Sequence, residues 1–323
     1  MREITFEEAV YEALSLEMRK DETVFLMGED LRHSGMTGRL WKEFGDWRVI
    51  DTPIAESGFT GAAVGAAITG MRPVISHGRC DFMLYAYDSI VNQAAKWIFQ
   101  TGPQSKLPLV VRVGTGGHWG SGCHHSQSQE ALFLNVPGIE IVIPSNPHDA
   151  KGLLLTALRR GKPVLFFEHG QVQRTRGDVP EGEYEIPFGR AKVKREGADA
   201  TVVATAYMVL KSLEAAEKLK GVGISVEVLD PRTLVPLDRS AIVKSVKKTG
   251  GLVTVEEGCR TGGVGAEIAT AVAEEAPSLL KAPVIRVANP DSHVPYKAEN
   301  ERHVLPQVED IVQAVRKVMG KRR

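Results

Sequence analysis

Residues 50–70 read IDTPIAESGFTGAAVGAAITG. The apolar lead-in RVIDTP runs into a proline, and a run of small residues rich in Ala and Gly follows it. Together they read as a short strand, a turn and a helix. A single carboxylate, Glu56, stands at the junction beside the helix N-terminus. Open α/β sheets place ligands in that crevice. Glutamate is seldom fully buried without a partner, and burying an unpaired charge is costly. A surface carboxylate that caps the helix is the competing reading. The Gly and Ala spacing would also let another backbone or a subunit approach closely.

The same alternation extends to both sides. TVFLMGED (23–30), RPVISHG (72–78), LPLVVRVG (107–114), IEIVIPSN (139–146) and PVLFFEH (163–169) read as buried strands. SGFTGAAVGAAITG, YAYDSIVNQAAKWIF and PHDAKGLLLTALRRG read as the helices between them. Apolar strands alternating with helices predict a doubly wound parallel sheet with helices on both faces. The stretch 173–197, QRTRGDVPEGEYEIPFGRAKVKREG, is polar and rich in Gly and Pro, and reads as a linker. A second alternating block follows it, from ATVVATAYMV to the final helix VEDIVQAVRKVMG. The expected fold is therefore α/β, with two doubly wound domains at 1–185 and 186–323.

The bulk properties narrow the partners. In 323 residues, 40 Lys and Arg balance 40 Asp and Glu, so no long-range field gathers nucleic acid or an acidic membrane. Three cysteines, an odd number in a long chain, do not suggest a disulfide framework. No apolar run approaches the ~20 residues that span a bilayer. The start, MREITFEEAVYEAL, lacks the features of a signal peptide and reads as a helix, with Thr5 and Glu8 as its capping box. A cytoplasmic protein is expected.

Two glycine-rich segments invite chemistry. GTGGHWGSGCHHSQSQEALF (114–133) carries His118, Cys123, His124 and His125 between a strand and a helix. Their spacing matches no familiar zinc pattern, and a structural zinc site needs four ligands. Such a loop after a parallel strand more often supplies acid–base groups, so one of these histidines is expected to be functional. The residues alone do not say which. EEGCRTGGVGAEIATAV (256–272) resembles a dinucleotide loop, but Ile268 occupies the place of the third glycine. It reads as a tight strand-to-helix turn. The chain has no P-loop, and no Gly-Asp-Gly followed by Asn to hold a metal-bound diphosphate.

The collinear set GED, DTPIAESG, DFMLYAYDSIVNQAAKW, HSQS, VPGIEIVIPSNPHDAKGLL, PVLFFEH, DPRTLVPLD and TGGVGAEI runs from Ile4 to about Met319. It resembles the beta subunit of thiamine-diphosphate-dependent 2-oxoacid dehydrogenases. That protein belongs to the decarboxylating component of pyruvate, branched-chain 2-oxoacid and acetoin dehydrogenase complexes. The resemblance implies a pyrimidine-binding domain followed by a transketolase-type C-terminal domain. Glu56 matches the glutamate of TP-x-x-E, which hydrogen-bonds N1′ of the cofactor's aminopyrimidine and favours the tautomer that accepts the thiazolium C2 proton. Phe82 matches the aromatic residue stacked on the pyrimidine, and core packing is its alternative role. His125, before Ser126 and Gln127, matches the histidine facing the thiazolium, which assists proton transfer and acyl delivery to a lipoyl arm. Glu29 and Asp88 match acids near the pyrimidine end.

The absent Gly-Asp-Gly acquires a meaning in this family. A separate alpha subunit holds the diphosphate and its magnesium, so the beta chain supplies no metal ligand. The resemblance further implies an α2β2 heterotetramer, a lipoyl-bearing acyltransferase core and a small 2-oxoacid substrate. There are departures: Arg79 and Cys80 replace an aromatic pair near the cofactor, which bears on the acyl substrate. RRGKP puts Arg160 and Lys162 where relatives often bind potassium, and the tail VMGKRR is unusually basic. Two other readings compete: the C-terminal half of a split transketolase, and a non-catalytic binding subunit. HSQS and DPRTLVPLD favour the dehydrogenase line over the first, and the ordered set Glu56, Phe82 and His125 argues against the second.

Overall fold

Thr5 and Glu8 form the capping box that the first residues encode. The Thr5 hydroxyl accepts from Glu8 N at 3.1 Å, and Thr5 N donates to Glu8 Oε2 at 2.7 Å. The helix they start buries Phe6, Ala9, Val10, Ala13 and Leu14, the face expected from the spacing. In this computed structural model residues 2–33 and 35–320 are described, so the basic end of the tail (321–323) lies outside them. The chain forms two compact units. One comprises the residues up to Thr115 together with Asn135–Phe188. The other comprises Gly116–Leu134 and the described residues from Gly189 on.

The first unit contains β1 (Arg2–Thr5), α1 (Phe6–Lys20), β2 (Val24–Gly28), α2 (Gly35–Phe44), β3 (Val49–Asp51), α3 (Glu56–Ile68) and β4 (Arg72–His77). It continues with α4 (Cys80–Met83), α5 (Ala95–Thr101), β5 (Val110–Thr115), β6 (Glu140–Val142), α6 (Pro147–Arg159), β7 (Val164–His169), α7 (Gly170–Gln173) and β8 (Arg176–Val179). Six strands of this unit lie side by side in the order β6-β7-β5-β4-β2-β3, all parallel. From β2 the chain moves outward to β3, then crosses back to β4 and proceeds the other way. The reversal makes a topological switch point between β2 and β4, where ligands of such sheets bind beyond the strand carboxyl ends. The two strands meet closely there: a Cβ on Gly28 would lie 2.3 Å from the Ser76 carbonyl oxygen.

The second unit contains β9 (Lys192–Arg195), β10 (Ala200–Ala204), α8 (Tyr207–Lys220), β11 (Val226–Asp230), β12 (Thr233–Val235) and α9 (Arg239–Thr249). After these come β13 (Leu252–Cys259), α10 (Val264–Glu275), β14 (Ile285–Asn289), α11 (Ala298–Glu301) and α12 (Val308–Gly320). Its sheet has the order β14-β13-β10-β11-β9. All neighbours are parallel except the edge strand β9, which runs antiparallel to β11. Val202, Val228, Val253 and Val255 pack with Ile311 and Val315 of α12 in one buried cluster.

Three details differ from the sequence reading. The expected linker 173–197 contains two strands: β8, antiparallel to β1, and β9. Both are polar edge strands, held by backbone hydrogen bonds and largely invisible to a search for apolar runs. The helix expected over 85–99 is a composite: a 3₁₀ turn at Leu84–Ala86, a π-helical stretch at Ser89–Ala94, then α5. Helix α2 went unread because Gly35 and Gly38 interrupt its pattern, although it buries Met36, Thr37 and Leu40. At RRGKP, Arg160 is paired with Glu140 and lies over the Phe188 ring, 5.0 Å from its centroid.

Candidate active site

Glu56 occupies the first turn of α3 and is only 8% exposed. The preceding residue, Ala55, offers no side-chain cap, so Glu56 is the acidic group at that helix N-terminus. Glu29 follows β2. Its pKa is raised, first by burial and then by the neighbouring charges of Glu56 and Asp30. Its Oε1 is buried and has no hydrogen-bond partner. The fold therefore brings Glu29 and Glu56 within electrostatic reach at the carboxyl end of the sheet. The Asp51 carboxylate between them in sequence accepts from Leu31 N at 2.9 Å and ties the β2 loop to β3.

Phe82 lies in the short α4 after β4 and is half-buried, with its N–H directed at the Arg79 carbonyl oxygen at 3.2 Å. Arg79 Nε is 3.8 Å from Asp81 Oδ2. The Cys80 thiol is fully buried, 3.8 Å from both Asp81 Oδ2 and Thr115 Oγ1. Asp88 is exposed and accepts from Asn92 Nδ2 at 2.8 Å, one turn along the helical stretch. It is thus separated in environment from half-buried Glu29 and buried Glu56. The π-helical stretch begins immediately after it, a local form frequent at functional sites.

His125 belongs to the second unit. It is exposed, with its backbone N–H donating to Gly122 O at 3.2 Å. Its neighbour Ser126 is buried and reaches Glu301 at 3.4 Å. His124, also exposed, has Nδ1 3.6 Å from Cys123 Sγ. His118 is held differently. It has a left-handed backbone (φ 69°), and its Nε2 is 3.1 Å from Glu257 Oε1, while Glu257 Oε2 accepts from Gly117 N at 3.0 Å. The loop's histidines are therefore distinct: His118 is fastened inward, and His124 and His125 face outward. Among the described residues no three His, Cys, Asp or Glu side chains are grouped to hold a metal ion.

At the second glycine-rich segment, the N-terminus of α10 is already filled. Glu256, on β13, accepts from Val264 N and Gly265 N, both at 2.7 Å. A Cβ on Gly263 would lie 2.7 Å from either oxygen of that carboxylate. The amides that would cradle a phosphate in a dinucleotide loop serve an internal carboxylate instead. Burial raises the pKa of Glu256 to about 7, against the lowering pull of those two amides.

The sequence reading missed a third set of polar groups. Arg112 on β5 and Glu168 on β7 form a buried bidentate pair at 2.6 and 3.0 Å. His77, at the end of β4, has Nε2 3.1 Å from the Thr60 hydroxyl of α3, and burial pushes its pKa down to about 3. The available signal was one arginine and one glutamate inside otherwise apolar strand segments, since such charges are rarely buried unless paired.

Comparison with known proteins gives consistent results across the chain. The family model described as "Transketolase, pyrimidine binding domain" matches residues 2–175, and "Transketolase, C-terminal domain" matches 189–311. The chain is 43% identical to the pyruvate dehydrogenase E1 component subunit beta of Rickettsia felis, covering 98% of each chain. It is 41% identical to the acetoin:2,6-dichlorophenolindophenol oxidoreductase subunit beta of Bacillus subtilis, covering 99% of this chain and 98% of that one. Among solved structures, "Split gene transketolase, inactive beta4 tetramer" superposes with a TM-score of 0.82 at 28% identity over 99% of both chains.

Proposed function

Because the chain belongs to the family of beta subunits of thiamine-diphosphate-dependent 2-oxoacid dehydrogenases, we propose that it works with an alpha subunit. In this reading the pair decarboxylates a small 2-oxoacid and passes the acyl group to a lipoyl domain. Thiamine diphosphate, when bound, supplies the carbanion chemistry, and the protein orients and tunes it. Glu56 is assigned the hydrogen bond to the aminopyrimidine N1′, Phe82 the stacking face, and Glu29 and Asp88 the surrounding acids. His125 is assigned acyl delivery. The diphosphate and magnesium fall to the alpha subunit, since this chain has no Gly-Asp-Gly stretch to hold them. The assembly is read as α2β2, docking on a lipoyl-bearing acyltransferase core in the cytoplasm. Among the described residues no helix is long and apolar enough to cross a membrane. Residues 1–185 are assigned to the pyrimidine-binding domain and 186–323 to the C-terminal-type domain, a division supported by the two family matches.

One observation carries the site assignment: the orphaned Oε1 of Glu29 beside buried Glu56. Buried polar atoms are nearly always partnered. A carboxylate oxygen left without a donor, next to a second carboxylate, suits a ligand that brings N–H groups, and an aminopyrimidine brings them. A raised pKa at Glu29 limits repulsion when Glu56 is ionised. The split-transketolase reading is weaker, since identity falls to 28% there against 41–43% for the dehydrogenase relatives.

The test is reconstitution with the alpha partner, thiamine diphosphate and magnesium, followed by a panel of 2-oxoacids with a lipoyl domain as acceptor. Acylated lipoyl domain is the expected product. Glu56→Gln should lower turnover by roughly 10²–10⁴, the usual range for losing a proton-relaying group, with an unchanged melting temperature. Ketol transfer between sugars without lipoyl acylation would favour the transketolase reading instead.

A further inference from the structure

The first unit contains a cavity of about 270 Å³ beyond the carboxyl ends of β4, β5 and β7. Arg112, Glu168, His77 and Glu7 line it, with Met36 and Val113 as apolar wall. Two of these residues have unmet polar atoms. Arg112 is 5% exposed, and while Nε and Nη2 bind Glu168, Nη1 is buried with no hydrogen-bond partner. His77 is 3% exposed, and its Nδ1 is likewise buried and unpartnered. Two residues that line one cavity thus each keep a buried nitrogen without a partner, and such nitrogens call for an acceptor.

The charges define what that acceptor belongs to. Glu168 already neutralises Arg112, and burial keeps His77 uncharged near neutral pH. Glu7, exposed and lining the same cavity, adds a second carboxylate, whose Oε1 accepts from Met36 N at 3.0 Å and whose Oε2 is left for a ligand. The lining is thus net negative by one charge. A simple carboxylate or a phosphate would find two donors but a repulsive field. A molecule carrying both a carboxylate and an ammonium group meets neither problem. We propose that this cavity binds a small aliphatic α-amino acid as its zwitterion. The carboxylate accepts from Arg112 Nη1 and His77 Nδ1, the ammonium group faces Glu7, and the side chain lies against Met36 and Val113. His77 then carries its proton on Nδ1, with the Thr60 hydroxyl donating to Nε2. Neither Glu29 nor Glu56 lines this cavity.

Titration calorimetry on the full chain tests this, using L-alanine, L-valine and L-methionine. Isovalerate and isobutylamine, valine without its amine and without its carboxylate, are the controls. At least one amino acid should bind, and each truncated form of valine should bind at least about tenfold more weakly than valine, the factor carried by a lost charge-assisted hydrogen bond. Glu7→Gln, which keeps an amide oxygen able to accept from Met36 N, should weaken the amino acid by about tenfold, with circular dichroism as the check on folding. Ser76→Leu, which adds bulk to the cavity lining, should abolish binding, with circular dichroism as the check on folding. Isovalerate binding as well as valine, no heat from any amino acid, or affinity indifferent to Glu7→Gln would each overturn the assignment.

Discussion

Adjacent His124 and His125 are both exposed, yet only His125 precedes the buried Ser126–Glu301 contact that anchors the loop. If His125 serves acyl delivery, His125→Ala should retain activity with an artificial electron acceptor and lose most acylation of a lipoyl domain. His124→Ala is the matched control and should leave both rates near wild type. Steady-state assays with the two acceptors decide it, and a more damaging His124→Ala would reverse the assignment. Single residues were unevenly legible. Glu56 stood out as a lone carboxylate in an apolar run at a strand-to-helix turn, where the residues alone left a surface helix cap as the competing reading, and the structure buries it. The Arg112–Glu168 pair was not legible. Its members stand 56 residues apart, and one sequence carries no record of which distant charges meet. His77 was hidden for the same reason, since only the fold reveals that its Nδ1 lacks a partner.

At the scale of elements, the filled N-terminus of α10 makes a pH-dependent contribution. The folded pKa of Glu256, about 7, lies above its ordinary value of 4.5, so the folded state binds more protons between those values. A raised pKa stabilises fully below the unfolded value, and that stabilisation is lost as pH climbs towards the folded one. From about pH 4.5 to 7 the wild type should lose on the order of 3 kcal/mol relative to Glu256→Gln, and the difference should stay flat above that window. Urea unfolding of both proteins at pH 5 and pH 8 measures the change, and parallel profiles would remove the role given to this carboxylate. The glycine-rich sequence correctly indicated a tight turn, but its glycines resemble those of a phosphate loop because both uses need close backbone approach. What separates them is the carboxylate on β13. Strands β8 and β9 escaped notice for a different reason, since edge strands are specified by backbone pairing and little by hydrophobicity.

For the whole molecule, the alternation of apolar strands and helices was enough to indicate two α/β layers, because buried parallel strands must be apolar along their length. The grouping of the chain into units was less accessible, because it depends on contacts between distant segments. The half-site reading has a direct expectation at this scale. The isolated chain should bind thiamine diphosphate weakly even with magnesium, and tightly once the alpha partner is present. Calorimetry on each would show it, and tight binding by the chain alone would end the half-site reading. The grouping also constrains how the polypeptide could be divided. Gly116–Leu134 interrupts the first unit in sequence but clusters with the second, so the backbone passes from one to the other three times. A single cut near residue 188 therefore does not yield two self-sufficient fragments. The N-terminal piece would carry a loop whose anchors, Glu257 for Gly117 and Glu301 for Ser126, are on the other piece. A gene broken there would encode two products of which the first carries a loop that only the second can hold, so inherited changes at Gly117 and Ser126 would be tied to those at Glu257 and Glu301 across the break.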